Sequence, residues 1–139
     1  MRLLAVFLVL IVIVIACSDS SVVRIVPKSQ YSRYTHIARK LALIISGKNA
    51  LRLRKIVAIT RTGNQVDIVF RSVPTTCDPK MGFPQPRKCP RLKNNLVVGC
   101  LGRVKLLGGS LKRVKYPNRK SMTCVVYSLR HPRPTTRPR

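Results

Sequence analysis

The chain has 139 residues, 28 Lys and Arg against three acidic residues, and a formal net charge of +25. A small soluble domain stays in solution with a net charge of only ~2–8, so an excess of this size excludes a neutral packing module and points to anionic partners. Four Tyr, three Phe, no Trp and two His leave little material for base stacking or for acid–base catalysis.

Residues 1–16 read as a secretion signal. One charge, Arg2, precedes about fourteen apolar residues, and the run closes on the small Ala16. The segment is too short for a comfortable membrane span. Cleavage after Ala16 leaves Cys17 as the new N-terminus, and cleavage after Ser18 removes it. A small residue followed by Cys at Ala16–Cys17 also resembles a bacterial lipidation site, and an uncleaved anchor is a further alternative. Loss of the leader removes Arg2 and lowers the charge from +25 to +24. No Asn-x-Ser/Thr sequence is present to carry glycans that would mask this charge. The mature chain of roughly 122 residues is one domain with a modest core. The expected division is one folded domain over 19–129 and a disordered basic Pro/Arg tail over 130–139.

Beyond a polar leader, residues 22–26 read as an edge strand. Tyr34, Ile37, Ala38, Leu41, Ile44 and Ile45 then fall on one stripe of period 3.6. The helix is predicted over 33–46, with Ser32 as N-cap and Gly47 as C-terminal stop. After Gly47 the period changes. Leu51, Leu53, Val57 and Ile59 alternate with Arg52, Arg54, Ile56 and Ala58, which predicts a strand with a basic outer edge. Thr62-Gly63-Asn64 is a turn signal. Val66, Ile68 and Phe70 alternate with Gln65, Asp67 and Arg71 to complete a hairpin. Five prolines between 74 and 90 exclude a helix or a central strand there. Residues 96–107 form a third strand with Leu96, Val98, Cys100, Val104 and Leu106 on one parity. Gly108-Gly109-Ser110 turns the chain, 111–116 begins a return strand, and Met122, Cys124 and Val126 share a face of a last strand.

The order predicts an α+β fold, one N-terminal helix on a four- to five-stranded antiparallel sheet. Four cysteines in an exported chain form a disulfide framework with three formal connectivities. Local closure across the proline loop suggests Cys77–Cys89, which leaves Cys100–Cys124 to join two strands. Each such crosslink is worth on the order of 3 kcal/mol in the chain-entropy model.

A helix followed by strands and then Cys-x11-Cys-x10-Cys-x23-Cys resembles the cystatin superfamily. The text Val-Asp-Ile-Val-Phe-Arg-Ser-Val-Pro-Thr-Thr-Cys at 66–77 resembles the strand leading to the first cysteine. Asn95-Leu-Val-Val-Gly-Cys-Leu-Gly-Arg-Val104, with its Cys-x-Gly step, is most similar to the cathelin-like domain of cathelicidins. The x23 spacing is longer than usual there and implies an extended hairpin over 108–120. The resemblance covers about residues 31–129 and implies the same two disulfides. It implies two functions. Inhibitory cystatins use a Gly near the mature N-terminus, a Gln-x-Val-x-Gly hairpin and a late Pro-Trp turn; all three are missing from this sequence, which makes papain-like proteases an unfavoured partner. Cathelicidins release a cationic peptide, but only fifteen residues follow Cys124. Cationic granule relatives that act as whole domains resemble this chain better.

The candidate anion-binding residues are Arg52, Arg54, Lys55, Arg87, Lys88, Arg91, Lys93, Arg103, Lys105, Lys112, Arg113, Lys115, Arg119 and Lys120. Any one basic segment is most simply a solvated face, but these five and the basic tail, in one nearly acid-free chain, act together. Arg52/Arg54, Arg103/Lys105 and Lys112 are expected to project from one side of their strands. No cofactor or metal site is expected, because the cysteines suit disulfides better than zinc. No catalytic residue is expected either: His36 reads as a solvated helix residue, and the secreted-ribonuclease text Cys-Lys-x-x-Asn-Thr does not occur. The expectation is a secreted, extracellular or granule-stored host-defence protein that binds anionic membranes or lipopolysaccharide. Inhibition of papain-like cysteine proteases and binding of heparin-like glycans or growth factors are the alternatives. Nucleic acid would be bound only non-specifically.

Overall fold

The computed structural model describes residues 2–6, 8 and 22–128. The predicted leader and its cleavage points, apart from 2–6 and 8, and the predicted tail at 130–139 lie outside the described residues. The architecture is α+β, with one helix on one face of an antiparallel sheet. In chain order the elements are β1 (Val23–Ile25), α1 (Thr35–Ile44), β2 (Leu51–Thr62), β3 (Gln65–Pro74), β4 (Leu96–Leu106), β5 (Val114–Lys115) and β6 (Thr123–Ser128). The sheet runs β1-β2-β3-β4, and both β5 and β6 pair with the far edge of β4. β6 takes the first half of β4, from Leu96↔Ser128 to Leu101↔Thr123, and β5 takes its end at Lys105↔Lys115 and Leu106↔Val114. The sheet therefore has six strands where four or five were expected, because the three-residue β1 and the two-residue β5 both pair into it. No described helix is long and apolar enough to cross a membrane.

The apolar stripe of α1 is the predicted one. Ile37, Ala38 and Leu41 are fully buried, Tyr34 and Ile45 nearly so, and Ile44 packs at the margin. The helix ends differ from expectation. A 3-10 segment at Lys28–Tyr34 runs directly into α1, so Ser32 is not an N-cap and no side chain caps the first turn. At the other end the Ser46 hydroxyl donates to the Ala42 carbonyl at 2.8 Å and accepts from the Leu51 backbone N–H at 2.9 Å. Ser46 thus satisfies a terminal helix carbonyl and ties the helix to β2, the task the sequence suggested for Gly47.

β2 carries two irregularities. Its register with β3 shifts between Leu53 and Lys55 and again between Ile56 and Ala58, so Arg54 and Val57 face no partner residue. Each bulge inserts one residue and flips the parity that follows. Leu51, Ile56 and Ile59 are therefore the buried positions, and Val57 is displaced from the inner set to which simple alternation assigned it. Bulges also increase the local twist of the strand. The β2–β3 hairpin closes on Gly63 (φ 60°) with Thr62 opposite Gln65, the backbone of a II′ turn.

The core lies between α1 and the inner rows of β2, β3 and β4: Ile56, Ile59, Val66, Ile68, Phe70, Cys100, Val104 and Leu106. One glycine sets how closely the helix approaches. A methyl group added to Gly102 would lie 2.9 Å from Leu41 Cδ1 and 3.1 Å from Met122 Cε. Leu41 is fully buried, so its side chain or its neighbours would have to shift.

The proline loop is pinned to the sheet. Cys77–Cys89 closes it with the Cα atoms 5.4 Å apart. Thr75 Oγ1 donates to the Ala50 carbonyl at 2.7 Å, the Ala50 N–H donates to Cys77 O, and Leu92 N–H donates to Pro74 O. Cys100–Cys124 joins two residues directly opposed in the β4–β6 register. Both crosslinks are those expected.

Gly102→Ala should destabilise the domain by about 1–3 kcal/mol through overpacking. Combining it with Leu41→Ala should cost less than the sum of the two single changes, because the added methyl fills part of the vacated space. Urea midpoints for the four proteins measure this coupling; strict additivity would mean that Leu41 does not occupy the space over Gly102.

Candidate anion-binding face

The helix covers one face of the sheet; on the other, Val73 and Val97 are buried at one end and the remainder is open. On β4 the even positions from 98 to 106 point to the core, and Leu101, Arg103 and Lys105 are exposed on the outer side. Register extends this outer face across the sheet. One row joins Lys55, Arg71, Gly99 and Val125; the next joins Ala58, Val69, Leu101 and Thr123. Two further rows join Ile25, Thr60, Asp67 and Arg103, and Val23, Thr62, Gln65, Lys105 and Lys115. Five cations thus share a face with one carboxylate, separated by Leu101, Val125, Ile25 and Val23, which are 42, 63, 80 and 61 % exposed.

The cations on this face are held differently. Arg103 Nε donates to Asp67 Oδ1 at 2.9 Å. That hydrogen bond, reinforced by the carboxylate charge, raises the guanidinium pKa further above its ordinary value. The arginine remains well solvated, so the pair orients the side chain more than it stabilises the fold. Arg71 stands 6.0 Å from the centre of the Tyr127 ring, and that ring lies across Gly99, where a methyl would sit 3.4 Å from it. Lys105 and Lys115 are directly opposed and have no carboxylate partner among the described residues. Like charges in this position repel.

The other predicted residues divide into structural and solvated groups. Arg52 Nη1 donates to the Cys89 carbonyl at 3.1 Å, and Arg91 Nη2 donates to the Leu96 carbonyl at 3.2 Å, so both pin the proline loop to the sheet. Arg54 falls at the first bulge, which breaks the expected Arg52/Arg54 parity and places Lys55 on the outer face opposite Arg71. Arg87, Lys88 and Lys93 are exposed on the proline loop and the turn after it. Lys112 and Arg113 are exposed in the turn before β5, and Arg119 and Lys120 in a 3-10 turn before β6, so none of these four belongs to the strand rows. Arg119 reaches toward Gly47, just past the end of α1. Arg71 and Tyr127 were missed as site residues. The β3 alternation already placed Arg71 on the outer parity, but it stands outside any basic run. On the helix side, Lys40 Nζ lies 4.4 Å above the Tyr116 ring, and burial raises the Tyr116 phenol pKa.

No group of three or more potential metal ligands occurs among the described residues. Comparisons with protein-family models, with curated proteins and with solved structures find no match.

Lys115→Ser should stabilise the fold at low salt by roughly 0.2–1 kcal/mol, by removing a directly opposed like charge. The gain should fade by about 0.5 M salt as the repulsion is screened. Denaturant titrations at two ionic strengths test this, and a loss of stability at low salt would refute the unrelieved pair.

Proposed function

We propose that this chain is a secreted, cationic host-defence protein with a cystatin-type fold, whose open sheet face binds anionic bacterial surfaces. The observation that carries the reading is the outer face itself: Lys55, Arg71, Arg103, Lys105 and Lys115 with only Asp67 among them, interleaved with exposed Val23, Ile25, Leu101 and Val125. Cations bring such a face to a phosphate-rich surface, and apolar side chains at the same level enter the headgroup region. The two disulfides support an oxidising destination. The cystatin-type assignment rests on the helix-then-sheet order, the local text and the pairing of the four cysteines.

Protease inhibition is the second reading, and one observation favours it. The β2–β3 turn and the β4–β5 turn meet at one end of the sheet, where Leu106 N–H donates to Asn64 O at 2.6 Å, and β1 begins opposite Thr62 at that end. Inhibitory cystatins present a wedge built from an N-terminal segment and two turns. Here those positions carry Arg61, Thr62, Gly63, Asn64 and Leu107, which do not supply the apolar wedge text.

The Arg71→Ser, Lys105→Ser, Lys115→Ser triple variant should weaken binding to phosphatidylglycerol vesicles on the order of a hundredfold at physiological salt, taking about 1 kcal/mol per cation near the lipid. A charge-matched Lys112, Arg113, Lys120 triple variant should lose much less. Equal losses would assign binding to net charge instead of this face. In a separate titration papain should retain full activity under excess protein; stoichiometric inhibition would return the wedge reading to the front.

A further inference from the structure

A cleft of about 370 Å³ lies where the proline loop passes the first half of β2. Its apolar wall is Leu51, Leu53, Phe83 and Pro84, and Arg39 of α1 and Arg52 of β2 border it. β1 pairs with β2 only at Thr60–Thr62, and the Val26 N–H bond to Ile59 O ends the contact, so the first half of β2, paired with β3 on one side, has no strand on its other edge among the described residues. The loop stands over this gap and is held there by Cys77–Cys89 and by the Arg52 bond to Cys89 O.

Three features select the ligand. First, neither guanidinium has a carboxylate partner among the described residues. Asp67 is engaged by Arg103, and Asp78 accepts the Lys80 backbone N–H at 2.9 Å. Arg39 forms no hydrogen bond or ion pair among the described residues, while Arg52 is fixed by one bond and keeps its other N–H donors. Second, Phe83 is 51 % exposed beside this cleft, an aromatic surface that a ligand would cover. Third, the bulges at Arg54 and Val57 break the regular backbone spacing that an added peptide strand would need. The size falls within the range of small-molecule sites, ~300–1,000 Å³.

We infer that this cleft binds one single-chain amphiphile, its carboxylate or monophosphate head on Arg39 and Arg52 and its apolar tail against Leu51, Leu53 and Phe83. The site is independent of the outer face, since none of Arg71, Lys105 and Lys115 borders it. The head chemistry is shared by free fatty acids and by lysophospholipid-type phosphates, and two probes separate these sources.

Isothermal titration of the folded, disulfide-bonded chain with dodecanoate and with dodecyl phosphate, both below their micelle concentrations, tests the inference. Saturable binding of one molecule per chain is expected for at least one probe, and the tighter one identifies the head. Dodecyl maltoside, acetate and inorganic phosphate should bind at least tenfold more weakly than that probe. Arg39→Ser and Phe83→Ser, both at exposed positions, should each weaken binding on the order of tenfold, in line with a charged hydrogen bond and with the loss of apolar cover. Lys120→Ser removes one charge elsewhere, in a turn outside the strand rows, and should stay within about twofold of the unmodified chain. Equal loss in Arg39→Ser and Lys120→Ser would overturn the inference, because net charge alone would then explain binding. Full binding of the tailless anions, or no saturable binding of either probe, would overturn it as well. None of these outcomes depends on whether the outer face binds vesicles.

Discussion

The close seat of Leu41 over Gly102 governs the rest of the fold. A helix can sink into a sheet only where the sheet curves toward it and where a strand leaves space at the contact. The bulges of β2 add local twist, and Gly102 on β4 provides the space. With both in place Ile37, Leu41 and Ile45 reach the rows of Ile59, Ile68 and Phe70 and close one core. Each large aliphatic side chain buried in this way contributes roughly 1.5–3 kcal/mol. This also gives a physical sense to the Cys-x-Gly step at 100–102. The two residues share the inner face of β4, one crosslinked to β6 and the other making way for the helix.

Much of this was legible in the sequence. The stripe from Tyr34 to Ile45 has only one reading as a helix, and the alternation of β3 and β4 is regular enough to assign both faces. The cysteine pairing followed from local closure. The bulges were not legible, because Lys55-Ile-Val-Ala-Ile59 holds apolar residues on both parities and hides a one-residue slip. The N-cap failed for a related reason. Ser32 has the right chemistry, but the 3-10 segment fills the position with helix-like backbone, and no free first turn is left to cap. For the candidate site, clusters of basic text proved a poor guide to neighbourhood in space. Arg71 is isolated in sequence, yet register sets it opposite Lys55 and near Tyr127. The exposed turn residues Lys112 and Arg113 form a dense basic run that no strand row includes.

The cations also divide by what they do for the chain. Arg52 and Arg91 satisfy loop carbonyls, Arg103 answers the Asp67 carboxylate, and Lys40 lies over an aromatic ring. These give up some freedom to hold the structure together. The Lys105–Lys115 pair does the reverse, since its geometry raises the free energy of the isolated protein. An approaching anion can neutralise both ammonium groups at once, so the fold keeps a repulsion whose relief is available to a partner.

β6 illustrates a different dependence. Nearly all of its side chains are exposed, so its place is set by backbone pairing with β4 and by the Cys100–Cys124 bond, with little help from burial. The same strand carries Val125 and Tyr127 onto the outer face. In a reducing environment the strand would lose its anchor, and with it one margin of that face. The uncovered edge of β4 would then offer free backbone groups beside Leu96 and Val98 to any extended chain nearby, including another copy of itself. This crosslink therefore acts as a quality mark. Where thiols stay oxidised β6 remains the outermost strand and carries one margin of the cationic surface, and where they do not β4 becomes the edge.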